Sequence, residues 1–168
     1  MKHFVLLLLL AVSLQSCWPT VGTDDFVQTE SYYEPITIQR AQFEQEIFAD
    51  APRPVVNAGK IYVSGNYVYI NEAGLGFHIL DNTDPATPTP IAFIEVPGST
   101  DLAIRDGIIY THHAVDLVSM TYDLIAGDVT ILHREINAFP LLSSPDGFPA
   151  SYFNVPDTEV IVDYQLID

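Results

Sequence analysis

The sequence predicts an all-β domain, and three observations predict it. Short runs of β-branched and aromatic residues recur from Gly59 onward, separated by turns that carry Gly. Equivalent runs return about every 40 residues. The chain has 168 residues, 48% of them hydrophobic, enough for one core and too short for two ordinary domains. Charge narrows the function. Six Lys and Arg face 22 Asp and Glu, a net charge of −16, which disfavours nucleic acid and anionic membrane surfaces as non-specific partners. The single Cys excludes an internal disulfide and multi-Cys zinc sites.

Residues 1–16 read as a signal peptide. Met1-Lys2-His3 is a basic start, and Phe4 to Val12 is an unbroken apolar run. A run of this length is about half of what spans a bilayer, so it suits a signal h-region rather than an anchor. Ser13-Leu14-Gln15-Ser16-Cys17 follows and resembles the lipobox of bacterial lipoproteins. Leu14, Ser16 and Cys17 match it, and Gln15 stands where a small residue is usual. Cys17 is therefore the expected lipidation site, tethering the chain to a membrane outside the cytoplasm.

Residues 17–58 read as a tether. The stretch is acidic and punctuated by Pro19, Pro35, Pro52 and Pro54. A short helix is expected over Gln39–Phe48, where Phe43 and Ile47 would share a face. Tyr32-Tyr33 reads as a partly buried loop pair, with an anchoring contact as the alternative.

Residues 59–168 carry the repeat. Ile61-Tyr62-Val63 and Tyr67-Val68-Tyr69-Ile70 flank Ser64-Gly65-Asn66, a hairpin signal. Leu102-Ala103-Ile104 and Ile108-Ile109-Tyr110 flank Arg105-Asp106-Gly107, and Asp-Gly is a strong two-residue turn signal. Tyr69 and Tyr110 occupy equivalent places. A further strand follows each hairpin: Phe77–Asp81 and Leu117–Thr121. Glu159–Asp163 reads as a third copy, so the ends at 81, 121 and 163 lie 40 and 42 residues apart. Ile91–Val96 and Val129–Ile136 complete units of four strands. Four short antiparallel strands repeating near this length suit β-propeller blades, and a small sandwich or meander is the alternative. About two to three such units fit, whereas closed rings take roughly four to eight.

The strand FHILD, Phe77–Asp81, and its echo EVIVD, Glu159–Asp163, resemble the repeat of the LVIVD-repeat lipoproteins of bacterial envelopes. The resemblance spans roughly Tyr33 to Leu124 and is specific over Gly59 to Tyr110. Ser119 and Thr121 depart from it. It implies a propeller type of fold and lipid anchoring at the cell envelope, with the outer membrane the expected place. It transfers no catalytic residue. Because such proteins are typically longer, the incomplete blade count reads as a truncated product of a longer gene. Otherwise the open sheet edges invite self-association.

Candidate chemistry is sparse. His112-His113 point to opposite faces of a strand, so the pair cannot chelate one ion as neighbours, while His113 and Asp116 could meet across a turn. His78 and His133 have no fixed relation to them. Asp81-Asn82-Thr83-Asp84-Pro85 offers oxygen ligands to calcium, but Asx turns explain the same residues. Gly74-Leu75-Gly76 lacks the helix and Lys of a phosphate cradle, and Ser143-Ser144 lacks a nucleophile elbow. No catalytic, metal or cofactor residue is assigned. The sequence reads as a binding or accessory module presenting its loops to a protein or glycan partner, with Tyr122, Phe148 and Tyr152 as possible contacts. An envelope or glycan hydrolase, or a non-functional fragment of a longer protein, is the alternative.

Overall fold

The computed structural model describes residues 29–168, and its compact body runs from Ser31 to Asp168. The signal segment and Cys17 lie outside the described residues. The body is almost entirely antiparallel β, as the alternation of β-branched and aromatic residues predicts. Among the described residues no helix is long and apolar enough to cross a membrane.

The first large sheet is a meander of β3 (Ala58–Ser64), β4 (Tyr67–Glu72), β5 (Gly76–Asp81) and β6 (Thr89–Glu95). The second repeats the connectivity with β7 (Leu102–Arg105), β8 (Ile108–His113), β9 (Asp116–Asp123) and β10 (Asp128–Glu135). Both hairpins close where the turn residues predict, with Ser64 opposite Tyr67 and Arg105 opposite Ile108. Asp106 and Gly107 take φ of 52° and 77°, the paired positive angles that match strand twist in a two-residue turn.

The two sheets face each other through one apolar layer. Phe77, Ile79, Ile94 and Val96 of the first meet Leu102, Ile109, Val118 and Met120 of the second, all buried. The register explains the pattern. Tyr62, Tyr69, Ile79 and Ala92 stand abreast on four neighbouring strands, so one face becomes continuous. The next row, Ile61, Ile70, His78 and Phe93, turns to the opposite face. Gly76 locks the β4–β5 turn into this layer. Its φ is 144°, and a Cβ there would stand 2.0 Å from the Ile94 carbonyl oxygen, so any side chain is excluded.

Three expectations are corrected. The stretch expected as tether contributes β1 (Tyr33–Gln39) and β2 (Phe48–Asp50), the latter extending the first sheet beside β6. Ile36-Thr37-Ile38 has the β-branched character of a strand and finds a partner. The helix expected over Gln39–Phe48 shrinks to one turn, α1 (Arg40–Phe43), because Phe48 is drawn into the ladder with Glu95. A lone turn has too few hydrogen bonds to persist without packing, and buried Phe43 supplies it. The strand expected as a third copy, β11 (Glu159–Leu166), does not stand in a third meander. It pairs with β1 in a separate two-stranded sheet, from Tyr33–Leu166 to Gln39–Glu159. No hairpin precedes it, since residues 136–158 hold Pro140, Pro145, Pro149 and Pro156 and only a 3-10 turn at Ala150–Phe153. Val160 of β11 packs with Phe43 and Val115, and Ile161 with Ala150 and Tyr164.

Candidate functional site

Buried charge concentrates where β8 turns into β9. Ala114 takes φ of 45°, making a two-residue turn that sets His113 opposite Asp116. Both are fully buried. The proximity expected across this turn is real, but a guanidinium fills it. Arg134 Nη1 donates to His113 Nδ1 at 3.0 Å and to Asp116 Oδ2 at 2.9 Å. Arg40 Nη1, from α1, donates to the same Oδ2 at 2.7 Å, and the Asn137 N–H donates to Oδ1 at 3.0 Å. Burial alone would push the Asp116 carboxyl up. The hydrogen bonds from Arg40, Asn137 and Arg134 outweigh it and hold the group below the usual carboxylate range. His113 is held down to about 3, first by burial and then by the Arg134 charge. Its Nδ1 accepts from Arg134, so Nε2 carries the proton, and that N–H has no partner among the described residues. The ring is fixed by stacking on Phe43, with centroids 3.7 Å apart and planes 11° apart.

This cluster is a mechanical junction. It ties α1, β8, β9 and β10 to the strap that follows β10. Arg40 Nη2 donates to Asn137 Oδ1, Phe139 N donates to the Val115 carbonyl, and Tyr164 Oη donates to the Leu142 carbonyl. Pinned at these points, the strap of residues 137–142 walls a cavity of about 580 Å³. The other walls come from the β4–β5 turn at Gly74, the β6–β7 turn at Gly98 and Thr100, the β8–β9 turn, and β11 at Ile161 to Asp163. Val115, Phe139, Leu142, Ile161 and Val162 line it and make it mostly apolar. His112 and Asp163 are its titratable groups. His112 Nε2 accepts from the Thr100 N–H at 3.0 Å, and burial lowers its proton affinity, so the ring is neutral. A second hollow of about 570 Å³ shares Val115, Phe139 and Ile161 with the first but is bordered by Arg40, Asn137, Asp157 and Glu159.

A second buried polar group sits in the first sheet. His78 Nε2 donates to Glu72 Oε2 at 2.9 Å, and both side chains are buried. The Val56 and Asn57 N–H groups also donate to Glu72. Burial raises the Glu72 carboxyl, but the His78 bond and these two backbone donors overcome it and hold it low. Arg53 covers the neighbouring Phe93, with Cζ 3.4 Å from the ring centroid, and pairs with Glu95 at 2.7 Å.

The other sequence candidates fall apart from these sites. Asp81 Oδ1 accepts from the Thr83 N–H and Asp84 Oδ1 from the Ala86 N–H, the bonds of two Asx turns. Ser144 is buried and donates to Asp146, which also binds Ser31 and the Tyr32 N–H. Phe148, Tyr152 and Phe153 form an aromatic run beside Tyr164, with Tyr152 exposed. Tyr122 instead packs against the core between the sheets. Tyr33 packs beside Tyr164, while Tyr32 is exposed. His133 is exposed near Glu135. Among the described residues, no group of three or more His, Cys, Asp or Glu converges as a metal site. Sequence reasoning missed Arg40 and Arg134. Their signal was scarcity, since the chain has only six basic residues.

The meander that holds Glu72 and His78 has a recognisable sequence. Residues 57–92 match the family model described as the LVIVD repeat. The matched stretch runs through β3, β4 and β5 into β6, so the LVIVD repeat here is a hairpin plus its following strands. No curated protein and no solved structure matches the chain.

Proposed function

We propose that this chain is a membrane-anchored envelope lipoprotein whose propeller-like module binds a partner through its loop end. The single observation that carries the binding reading is the cavity of about 580 Å³ where three β-turns, the strap and β11 converge. Its dimensions fall within the roughly 300–1,000 Å³ common for ligand sites. The propeller-like reading is supported by two meanders of one connectivity packed face to face and by the LVIVD repeat. The anchor rests on Cys17 behind a short apolar run. Buried carboxylates support a non-catalytic role, because Glu72 and Asp116 are already satisfied by internal donors. A protein or glycan is the expected partner at the rim. Self-association is a further contact mode, through the β3 edge where Ile61 and Val63 are 61% and 67% exposed. In a bacterial host, Cys17→Ala should move the protein from the membrane fraction to the soluble fraction. Persistence of the variant with membranes would remove the anchor.

A further inference from the structure

We propose that the cavity behind the strap is a binding site for a small apolar or aromatic molecule carrying one positive charge, an organic ammonium. The inference rests on the binding-module reading and adds a small ligand inside the cavity to the protein or glycan expected at its rim. Three features select the class. The walls are aliphatic and aromatic, from Val115, Phe139, Leu142, Ile161 and Val162, so the body of the ligand must be apolar. Among the described residues no Lys or Arg borders this cavity, whereas Asp163 does. Asp163 Oδ1 accepts from the Tyr164 N–H at 2.8 Å, which orients this exposed carboxylate. His112 cannot supply a compensating positive charge, because the Thr100 N–H occupies its Nε2. An anion would meet an apolar wall and a like charge, and a cation would meet its counter-ion. The protein's net charge of −16 adds the same preference at longer range.

The neighbouring hollow sharpens the choice. It shares Phe139 with the cavity but brings Arg40 to its wall, so it does not select by sign in this way. Val115, Phe139 and Ile161 border both hollows, and the hydrogen bond from the Phe139 N–H to the Val115 carbonyl holds two of them together.

The test uses the full chain with the neutral fluorophore N-phenylnaphthylamine as reporter, and phenethylammonium and phenylpropionate as competitors of matched size. A single saturable site is expected, displaced by the ammonium well below the concentration at which the carboxylate acts. Leu142→Trp, at a half-exposed wall position, should abolish reporter binding while leaving the unfolding transition in place. Asp163→Asn keeps the acceptor for Tyr164 and should weaken the ammonium about fivefold relative to the reporter, the scale of one partly exposed charge pair. Equal displacement by both competitors, or an unchanged ammonium affinity in Asp163→Asn, overturns the charge assignment and leaves the binding-module reading standing. Reporter binding that survives Leu142→Trp, or no saturable binding at all, overturns the site. Retention of an envelope protein or glycan by the same chain would then show that the module binds elsewhere.

Discussion

Glu72 and Asp116 flank the turns between the second and third strands of successive meanders, yet they are stabilised in different ways. Glu72 ends β4 and is satisfied by His78 on the adjacent strand and by the chain just before β3. Everything it needs lies within 16 residues. Asp116 opens β9 and draws its cations from Arg134 and from Arg40, the latter 76 residues away. The first carboxylate finishes one sheet. The second fastens a sheet to α1 and to the strap. A buried acid therefore acts locally or as a junction according to where its donors come from, although burial itself is the same.

The largest effect separating the two should come from Asp116→Ala. It strands two guanidiniums and frees the Asn137 N–H, so a loss of about 3–5 kcal/mol is expected from denaturant unfolding. The strap should become labile to hydrogen exchange. If the variant loses less than Glu72→Ala, the junction reading fails. Glu72→Ala should cost less, about 1–3 kcal/mol, because Val56 and Asn57 are exposed and their N–H groups can turn to water while only His78 stays buried. Its effect should stay within the first sheet in an exchange map.

Acid should discriminate further. Glu72 and Asp116 both have lowered folded-state values, so their stabilisation is present above the unfolded carboxyl range and is lost as pH falls through the folded values. His113 acts in a higher window. Its unfolded form takes up a proton near 6.5 and its folded form only near 3, so stability drops on acidification between these limits. One proton gives a slope of about 1.4 kcal/mol per pH unit. His113→Phe keeps a ring on Phe43 and should flatten the slope between about pH 6.5 and 5, with His112, also lowered by burial, retaining part of it. An unaltered slope would mean that His113 is charged in the folded protein. The smallest effect should come from Lys60→Ala. Lys60 pairs with Asp101 across the two sheets, but the pair is exposed, and the unfolding midpoint should not move measurably.

The parts legible in the sequence were those whose causes are local. Gly65-Asn66 and Asp106-Gly107 announce their hairpins because turn conformation is decided within two residues. Alternation revealed the strands that follow, since burial of one face imposes period two. The β1–β11 pairing was not legible, because nothing near Ile36 names a partner at Asp163. EVIVD looked like a third copy by its letters, but without a preceding hairpin it had no neighbour of its own. Half of the polar junction was visible: His113 and Asp116 signalled proximity by spacing, whereas Arg40 and Arg134 came from other elements. The cavity was invisible, since turns from two hairpins, the connection between the two sheets and a proline-bearing strap shape it together.

The ladder between Tyr33–Gln39 and Glu159–Leu166 has a kinetic consequence. Its partners lie more than a hundred positions apart, so loop closure must precede any gain from pairing. During vectorial emergence of the polypeptide both meanders can condense first, while the early strand waits without a mate. Completion of this ladder is thus expected as the slow phase of refolding, and it would keep the nascent molecule loose until Glu159–Leu166 has emerged.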